Sequence, residues 1–219
     1  MKSRKLDDIP KYDVIMAVKN GTDYLYESLN SIFRQSLQPN RVLLIDDYST
    51  DQLKPFLSQE FPQVEYFLNP GVGQASALNY GIEISTSDYL AFLDADDFWE
   101  VNKQHKQVSI LREMPSLSYV RSGLRNFEST DNDLSYREFK DSRSLGSSTF
   151  QKNLFLEFGC FSLDKGKAWL FDFFTRIKNV QYVSTGTIEL NRRIHGMNSV
   201  IVERNEYLKD LFVFLRNKS

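Results

Sequence analysis

Three carboxylates follow directly on an apolar segment in "YLAFLDADDFW", residues 89–99. Asp94 and Asp96 are two residues apart, and on an extended chain that spacing points both side chains the same way. Like charges this close repel each other and raise one another's pKa, a cost that a divalent cation removes. Mg²⁺ and Mn²⁺ favour oxygen ligands, commonly one or two carboxylates plus substrate phosphates. The stretch therefore predicts metal-assisted phosphate binding, with Asp97 either assisting or capping the next helix.

A second acidic pair, Asp46-Asp47, follows another apolar run, "RVLLID". Taken alone, a pair of aspartates after a strand is equally well explained as the cap of the following helix. Two such pairs at the ends of two separate strands favour a ligand site over helix capping.

Strand-like and helix-like patterns alternate through the first half of the chain. The predicted strands cover 12–18, 41–46, 64–68 and 88–94, and the predicted helices cover 22–37, the segment through Leu57, and 73–84. This order predicts an α/β fold in which a mostly parallel sheet carries helices on both faces. Ligands bind beyond the carboxyl ends of the strands in such sheets, so the acidic segments should meet at one edge.

The second half is less regular. It predicts a helix at 101–113, a strand near 117–121, a polar loop or insertion at 128–144, a helix at 167–177 and two strands before residue 195. The last helix, 205–217, is amphipathic. Its apolar side is expected to pack on the core or on a second copy in a homodimer, with a membrane surface as the alternative.

Composition excludes several classes of protein. A chain of 219 residues is long enough for one domain, and its formal charge of −2 argues against nucleic-acid binding. The single cysteine permits no internal disulfide, and no apolar run reaches bilayer length. We expect a cytoplasmic protein, with peripheral contact at the inner face of the membrane left open.

The motifs resemble those of a family 2 glycosyltransferase with the GT-A fold. "VIMAVKNGTDYLYESLNSIFRQSL" is similar to its opening strand and helix, "VLLIDDYSTD" to its "VDDGSTD" element, and the stretch from 69 to 99 to its glycine turn, helix and "DxD" strand end. "FGCF", "LFDFFTRI" and "NRRIHGMNSV" are similar to later segments. The resemblance implies one GT-A domain over 1–219, with a nucleotide-sugar half at about 10–100 and an acceptor half at about 101–219.

The resemblance also implies an activity. Such enzymes transfer a sugar from a nucleotide-sugar, here expected to be UDP-linked, to the hydroxyl of a saccharide or lipid-linked saccharide, with inversion, in the synthesis of cell-surface or extracellular polysaccharide. It implies Mn²⁺ or Mg²⁺ as cofactor, bound by Asp96 and assisted by His195. Asp94 would lie near the ribose or the donor sugar.

Further residues are implied to form the nucleotide pocket. Asp46 and Asp47 would include the carboxylate that accepts a hydrogen bond from the base. The remaining implied residues border the nucleotide: Val18, Asn20, Asn79 and the glycine turn through Gly71 and Gly73.

One departure concerns the catalytic base. Family members usually carry a Glu-Asp pair before the later helix, and in the gapless register that pair falls on Trp169 and Leu170. Asp172 matches only a later aspartate, and its spacing from Arg176 is also that of a helical ion pair. Asp172 is the candidate for the catalytic base, and Asp164 is the alternative.

Two other functions remain as alternatives. The missing Glu-Asp pair favours a nucleotide-sugar-binding protein that has lost transfer activity and assists a partner glycosyltransferase. A nucleotidyltransferase also uses aspartates at strand ends, but "VKNGTDYL" is a poor version of the phosphate loop that it would need.

Overall fold

The computed structural model describes residues 11–130, 133–195 and 204–216. Its first half alternates strands and helices: β1 (Tyr12–Val18), α1 (Thr22–Phe33), β2 (Arg41–Asp46), α2 (Leu53–Glu60), β3 (Glu65–Leu68), α3 (Gln74–Ile84) and β4 (Tyr89–Phe92). Its second half contains β5 (Phe98–Trp99), α4 (Lys103–Glu113), β6 (Tyr119–Thr130), β7 (Asp133–Phe139), β8 (Ser148–Gln151), α5 (Asn153–Phe158), a 3₁₀ segment (Leu163–Ala168), α6 (Trp169–Arg176), β9 (Tyr182–Arg193) and α7 (Arg204–Arg216).

Strands from both halves share one sheet. The order is β3-β2-β1-β4-β8-β6-β9-β5, with β7 paired to β6. The first four strands are parallel, as predicted. Beyond β4 the sheet is mixed, because β8 is antiparallel to both β4 and β6 while β9 is parallel to β6. The carboxyl ends of β1, β2, β4, β6 and β9 therefore lie along the same edge.

Two apolar layers enclose the sheet. On one face Val14 and Met16 of β1 pack with Leu25 and Leu29 of α1, and on the other Ile15 packs against the side that carries α3, α5 and α6. The strands can be apolar throughout because both faces are covered. This arrangement confirms the predicted helices on both faces.

The segment 128–144, predicted as a polar loop or an insertion, is a strand pair as far as residue 139 and contains no strand from 140 to 144. Residues 119–130 and 133–139 form a long antiparallel pair, β6 with β7. The burial of residues 119–127 arises from the neighbouring strands, whereas the side chains of 137–139 are exposed, so the local sequence lacks the apolar alternation that identifies a strand pair. The two short strands predicted before residue 195 form one continuous strand, β9, which is irregular opposite Arg121 and Gly123 of β6.

The C-terminal helix, α7, contacts the 3₁₀ segment. Asp210 accepts a hydrogen bond from the backbone N–H of Lys167 at 2.8 Å. The apolar side chains of Leu208, Phe212 and Leu215 remain at least half exposed. Among the described residues, no helix has both the length and the apolar character required to cross a bilayer.

Candidate active site

The two acidic loops meet at the carboxyl edge of the sheet, as their positions in the sequence predicted. The turn before α3 and the first residue of that helix contact one loop each. The backbone N–H of Gly73 donates to Asp47 Oδ1 at 2.8 Å, and Gln74 Nε2 donates to Asp94 Oδ1 at 3.1 Å. Gly73 has φ +90°, a backbone conformation that residues with a side chain rarely adopt, so glycine is favoured at this position.

Asp46 and Asp47 are both buried, but their carboxylates differ in what they can still accept. Asp46 accepts from the backbone N–H of Ser49 through Oδ1 and from the hydroxyl of Tyr66 through Oδ2, at 2.8 and 2.7 Å. Asp47 uses Oδ1 to accept from Asn69 Nδ2 and from the Gly73 N–H. No described residue donates to Asp47 Oδ2, which leaves this oxygen as an acceptor for a ligand.

The loop after β1 is fastened to the loop after β2. Asn20 adopts φ +53°, and its Oδ1 accepts from the backbone N–H of Thr50 at 2.7 Å. Val18 is 1% exposed, and its carbonyl accepts from the Asp47 N–H at 2.8 Å. Val18 therefore positions Asp47 through its backbone, while its side chain belongs to the core.

The acidic loop 94–97 concentrates three carboxylates with strong mutual effects. Burial and then the charge of Asp96 raise the pKa of Asp94 to about 7, while Arg192 and the Gln74 hydrogen bond act in the opposite direction. Asp94 keeps an exposed surface, so solvent screens part of this effect. Burial and the charges of Asp94 and Asp96 also raise the pKa of Asp97 well above its ordinary value.

The end of β9 completes the cluster. His195 Nε2 lies 3.0 Å from Asp96 Oδ2, across 99 positions in the sequence. The backbone N–H of Arg193 donates to Asp97 Oδ1 at 3.0 Å, so Asp97 fixes β9 rather than the following helix. Sequence reasoning missed the positive charge of Arg192 beside Asp94. The signal was present in "NRRIH", where two arginines precede the histidine at a predicted strand end.

Two residues predicted for the site, Asn79 and Asp172, form hydrogen bonds within the protein. The Asn79 amide accepts from the Phe161 N–H at 2.9 Å and donates to the Phe161 carbonyl at 2.8 Å, which fastens α3 to the "FGCF" segment. Asp172 is 5% exposed and accepts from the Ser162 hydroxyl and from Arg176 Nε, at 2.7 and 2.8 Å. These contacts give Asp172 the ion-pair role that its spacing from Arg176 indicated.

Arg176 extends this role to the whole "FGCF" turn. Besides Asp172, its guanidinium donates to the carbonyls of Phe158, Gly159 and Cys160. Asp164, the other nearby carboxylate, is exposed and pairs with Lys165 at 2.8 Å. The base assignment therefore stays a prediction.

The donor set around Asp96 suits a divalent cation that a substrate also binds. Among the described residues, no group of three or more His, Cys, Asp or Glu side chains could by itself hold a metal ion. One carboxylate together with substrate phosphates fits the usual pattern for such an ion, and the His195 imidazole would add a nitrogen ligand. Asp96 Oδ2 and His195 Nε2 are hydrogen-bonded to each other at 3.0 Å. The same separation is expected between two adjacent ligands in an octahedral shell of about 2.1 Å.

Solved structures resemble the fold. Staphylococcus aureus TarS residues 1–349 superimpose with a TM-score of 0.69 at 16% identity, over 84% of this chain and 60% of that chain. The same fragment in complex with UDP gives a TM-score of 0.66, over 85% and 61% of the two chains. This likeness shows the fold, which is GT-A, as the sequence predicted.

Sequence relatives point the same way. An uncharacterized glycosyltransferase of Haemophilus influenzae is 35% identical over 108 residues, which is 48% of this chain and 43% of that protein. The putative teichuronic acid biosynthesis glycosyltransferase TuaG of Bacillus subtilis is 31% identical over 109 residues, with 48% and 43% covered. The chain thus spans less than half the length of these relatives. The model of the family described as "Glycosyl transferase family 2" matches residues 13–169, and the chain belongs to that family.

Proposed function

We propose that this chain is the catalytic domain of a metal-dependent, inverting glycosyltransferase that uses a UDP-linked sugar in the synthesis of a cell-surface or extracellular polysaccharide on the cytoplasmic side of the membrane. The observation that carries the proposal is the Asp96–His195 contact of 3.0 Å at the sheet edge, next to the strongly perturbed Asp94. The UDP complex of TarS and the similarity to TuaG, a putative teichuronic acid biosynthesis glycosyltransferase, support the choice of donor and pathway.

In this proposal each loop has a separate task. Asp47 Oδ2 accepts the ring N–H of uracil, because Asp46 already uses both oxygens within the protein. Asn20 and the Gly71–Gly73 turn border the nucleotide. The positive charge of Arg192 acts to lower the pKa of Asp94 and would offset part of the negative charge around the donor sugar. Asn79 acts indirectly, by holding the "FGCF" segment against α3.

Asp96 and His195 would hold Mn²⁺ or Mg²⁺ together with the diphosphate. The bound ion would act as a Lewis acid that stabilises the charge developing on the leaving diphosphate. Charge at this edge also favours an ion on general grounds, since three neighbouring carboxylates are costly without one. The acceptor, a saccharide or lipid-linked saccharide, would approach from the side of the "FGCF" segment, and its hydroxyl requires a carboxylate base within hydrogen-bonding reach.

A thermal-shift experiment tests the nucleotide and metal parts together. UDP with Mn²⁺ at about 100 times its dissociation constant stabilises a folded chain by about 2.7 kcal/mol, which is about 5–10 °C for a domain of this size. The Asp96→Ala variant should lose the Mn²⁺-dependent part, while Asp88→Ala, at the opposite end of β4, should keep it. Equal shifts in Asp96→Ala and the unaltered chain would remove the metal role.

One observation favours a second function. The positions of the usual Glu-Asp pair hold Trp169 and Leu170, and Asp172 is engaged by Arg176 and Ser162. A chain with this arrangement could bind nucleotide-sugar and assist a partner enzyme without transferring sugar itself. Release of UDP from UDP-sugars with Mn²⁺ distinguishes the two: a slow release abolished by Asp96→Ala indicates the enzyme, and binding without any release indicates the accessory protein.

A further inference from the structure

We infer that Tyr24, in the first turns of α1, is a positioning residue that holds the His195 imidazole against Asp96. The inference rests on the proposed function, because it takes His195 and Asp96 as the protein ligands of the metal ion. It adds a part of the chain that carries no acidic or metal-binding motif.

The Tyr24 ring contacts two side chains from the end of β9. Its centroid lies 4.8 Å from that of His195, with 32° between the ring planes, and the Arg193 guanidinium carbon lies 4.8 Å from the same centroid. Aromatic pairs at this separation attract each other beyond simple burial of area, and a guanidinium over a tyrosine adds a cation–π attraction. Tyr24 therefore contributes a surface against which both side chains rest.

Arg193 is held from three further directions. Its guanidinium forms an ion pair with Glu27 and lies 4.7 Å from the centroid of Phe127, and its backbone N–H donates to Asp97. Glu27 is three residues after Tyr24, so the two side chains occupy the same side of α1. Helix α1 thus contacts the end of β9 through the Tyr24 ring and the Glu27 carboxylate.

The backbone leading to His195 is fixed, but its side-chain torsions need a separate constraint. The Arg193 N–H bonds Asp97, and the Ile194 N–H donates to the Phe127 carbonyl at 2.9 Å. These bonds place the His195 backbone without setting the direction of its ring. The ring direction that brings Nε2 to Asp96 Oδ2 is the one in which the imidazole lies against Tyr24.

The position of α1 is itself set from the nucleotide side. Thr22 donates to Asp51 Oδ2 through its backbone N–H at 3.2 Å and its hydroxyl at 3.0 Å. Asp51 belongs to the loop that follows Asp47. Tyr24 is therefore anchored to the loop that would recognise the base while it contacts the histidine that would hold the metal, so residues outside the metal site can set its geometry.

Nitrogen NMR tests the inference directly, because the chain contains only two histidines, His195 and the exposed His105 on α4. The ¹⁵N shifts of an imidazole report its tautomer and hydrogen bonds. We expect a single bonded pattern for His195 in the unaltered chain and in Tyr24→Phe, which keeps the ring. Tyr24→Ala and Tyr24→Leu should give the averaged pattern of an exposed histidine, with His105 unchanged in all variants.

Manganese binding provides the second readout. With UDP present, Tyr24→Ala and Tyr24→Leu should bind Mn²⁺ about tenfold more weakly, as loss of an orienting partner does at other metal sites. Tyr26→Ala is the matched control, since Tyr26 lies on the same helix but packs edge-on against Phe61, 5.5 Å between centroids. Free Mn²⁺ is measured by electron paramagnetic resonance.

The two readouts fail separately. A folded Tyr24→Ala or Tyr24→Leu variant in which His195 keeps the pattern of the unaltered chain would overturn the positioning role. Tyr24→Leu retains apolar volume and so keeps the test available if the alanine variant does not fold. If the unaltered chain binds no Mn²⁺ with UDP, the proposed metal function fails, while the nitrogen shifts still decide whether Tyr24 orients His195.

Discussion

The acidic loop should destabilise the metal-free protein, and Asp94→Asn measures by how much. Asp94 stays protonated in the folded state up to about pH 7 because of burial and the charge of Asp96, whereas in the unfolded chain it ionises near pH 4. The folded state therefore binds more protons in this interval, and the free energy of unfolding falls as pH rises from about 4 to 7. An asparagine, which cannot ionise, removes this dependence.

The size of the effect follows from the two pKa values and from exposure. At about 1.4 kcal/mol per pH unit, a fully enclosed Asp94 would lower the free energy of unfolding by about 4 kcal/mol. Because Asp94 keeps an exposed surface, solvent screening reduces the expected value to about 1–2 kcal/mol. Asparagine can still accept the Gln74 hydrogen bond through Oδ1, so the substitution removes charge with little other change.

Urea denaturation in EDTA at pH 5, 6.5 and 8 provides the assay. The free energy of unfolding of Asp94→Asn should be higher than that of the unaltered chain by about 1–2 kcal/mol at pH 8, and the difference should shrink towards pH 5. Asp88→Asn, an exposed position at the other end of β4, should match the unaltered chain throughout. A variant that is no more stable at pH 8, or whose gain is the same at every pH, would refute the reasoning.

Three other substitutions have defined outcomes. Tyr48 is exposed with φ +60°, so Tyr48→Gly should raise the free energy of unfolding by about 0.5–1 kcal/mol in urea denaturation, while Tyr48→Ala should give no gain. Burial alone would raise the pKa of Asp13, but hydrogen bonds from Ser87, Ser85 and others lower it. Asp13→Ala leaves these buried donors without their acceptor, so it should lower the free energy of unfolding in urea denaturation by about 2–4 kcal/mol. Asp172→Asn should lower the melting temperature but leave Mn²⁺-dependent UDP binding intact, and loss of that binding would contradict the ion-pair role.

The sequence was sufficient for the first half of the fold because each element there has its own strong signal. Strands β1 and β2 are continuous apolar runs, and α1 buries Leu25, Leu29 and Ile32 at helical spacing. The second half depends on long-range pairing. The polar β6–β7 pair and the irregular β9 owe their strand structure to neighbours in the sheet, which local periodicity does not reveal.

The candidate site divides in the same way. Position alone was enough to predict that the loops with Asp46, Asp47, Asp94 and Asp96 meet at one edge, because the carboxyl ends of parallel strands share an edge. Which oxygen of which aspartate remains available could not, since that depends on donors such as Tyr66, far away in sequence. Sequence spacing shows where the carboxylates gather, but not which of their oxygens already accept hydrogen bonds within the protein.

The two halves of the chain are interdependent at this edge. The first half supplies the carboxylates, yet without a counter-charge their mutual repulsion opposes folding of loop 94–97. The second half supplies Arg192 beside Asp94, His195 against Asp96 and the Arg193 N–H for Asp97, all from one strand end. His195→Ala removes one of these groups and keeps the rest of the sheet. This variant should bind UDP with Mn²⁺ more weakly than the unaltered chain, and equal binding by calorimetry would show that His195 contributes nothing to the site.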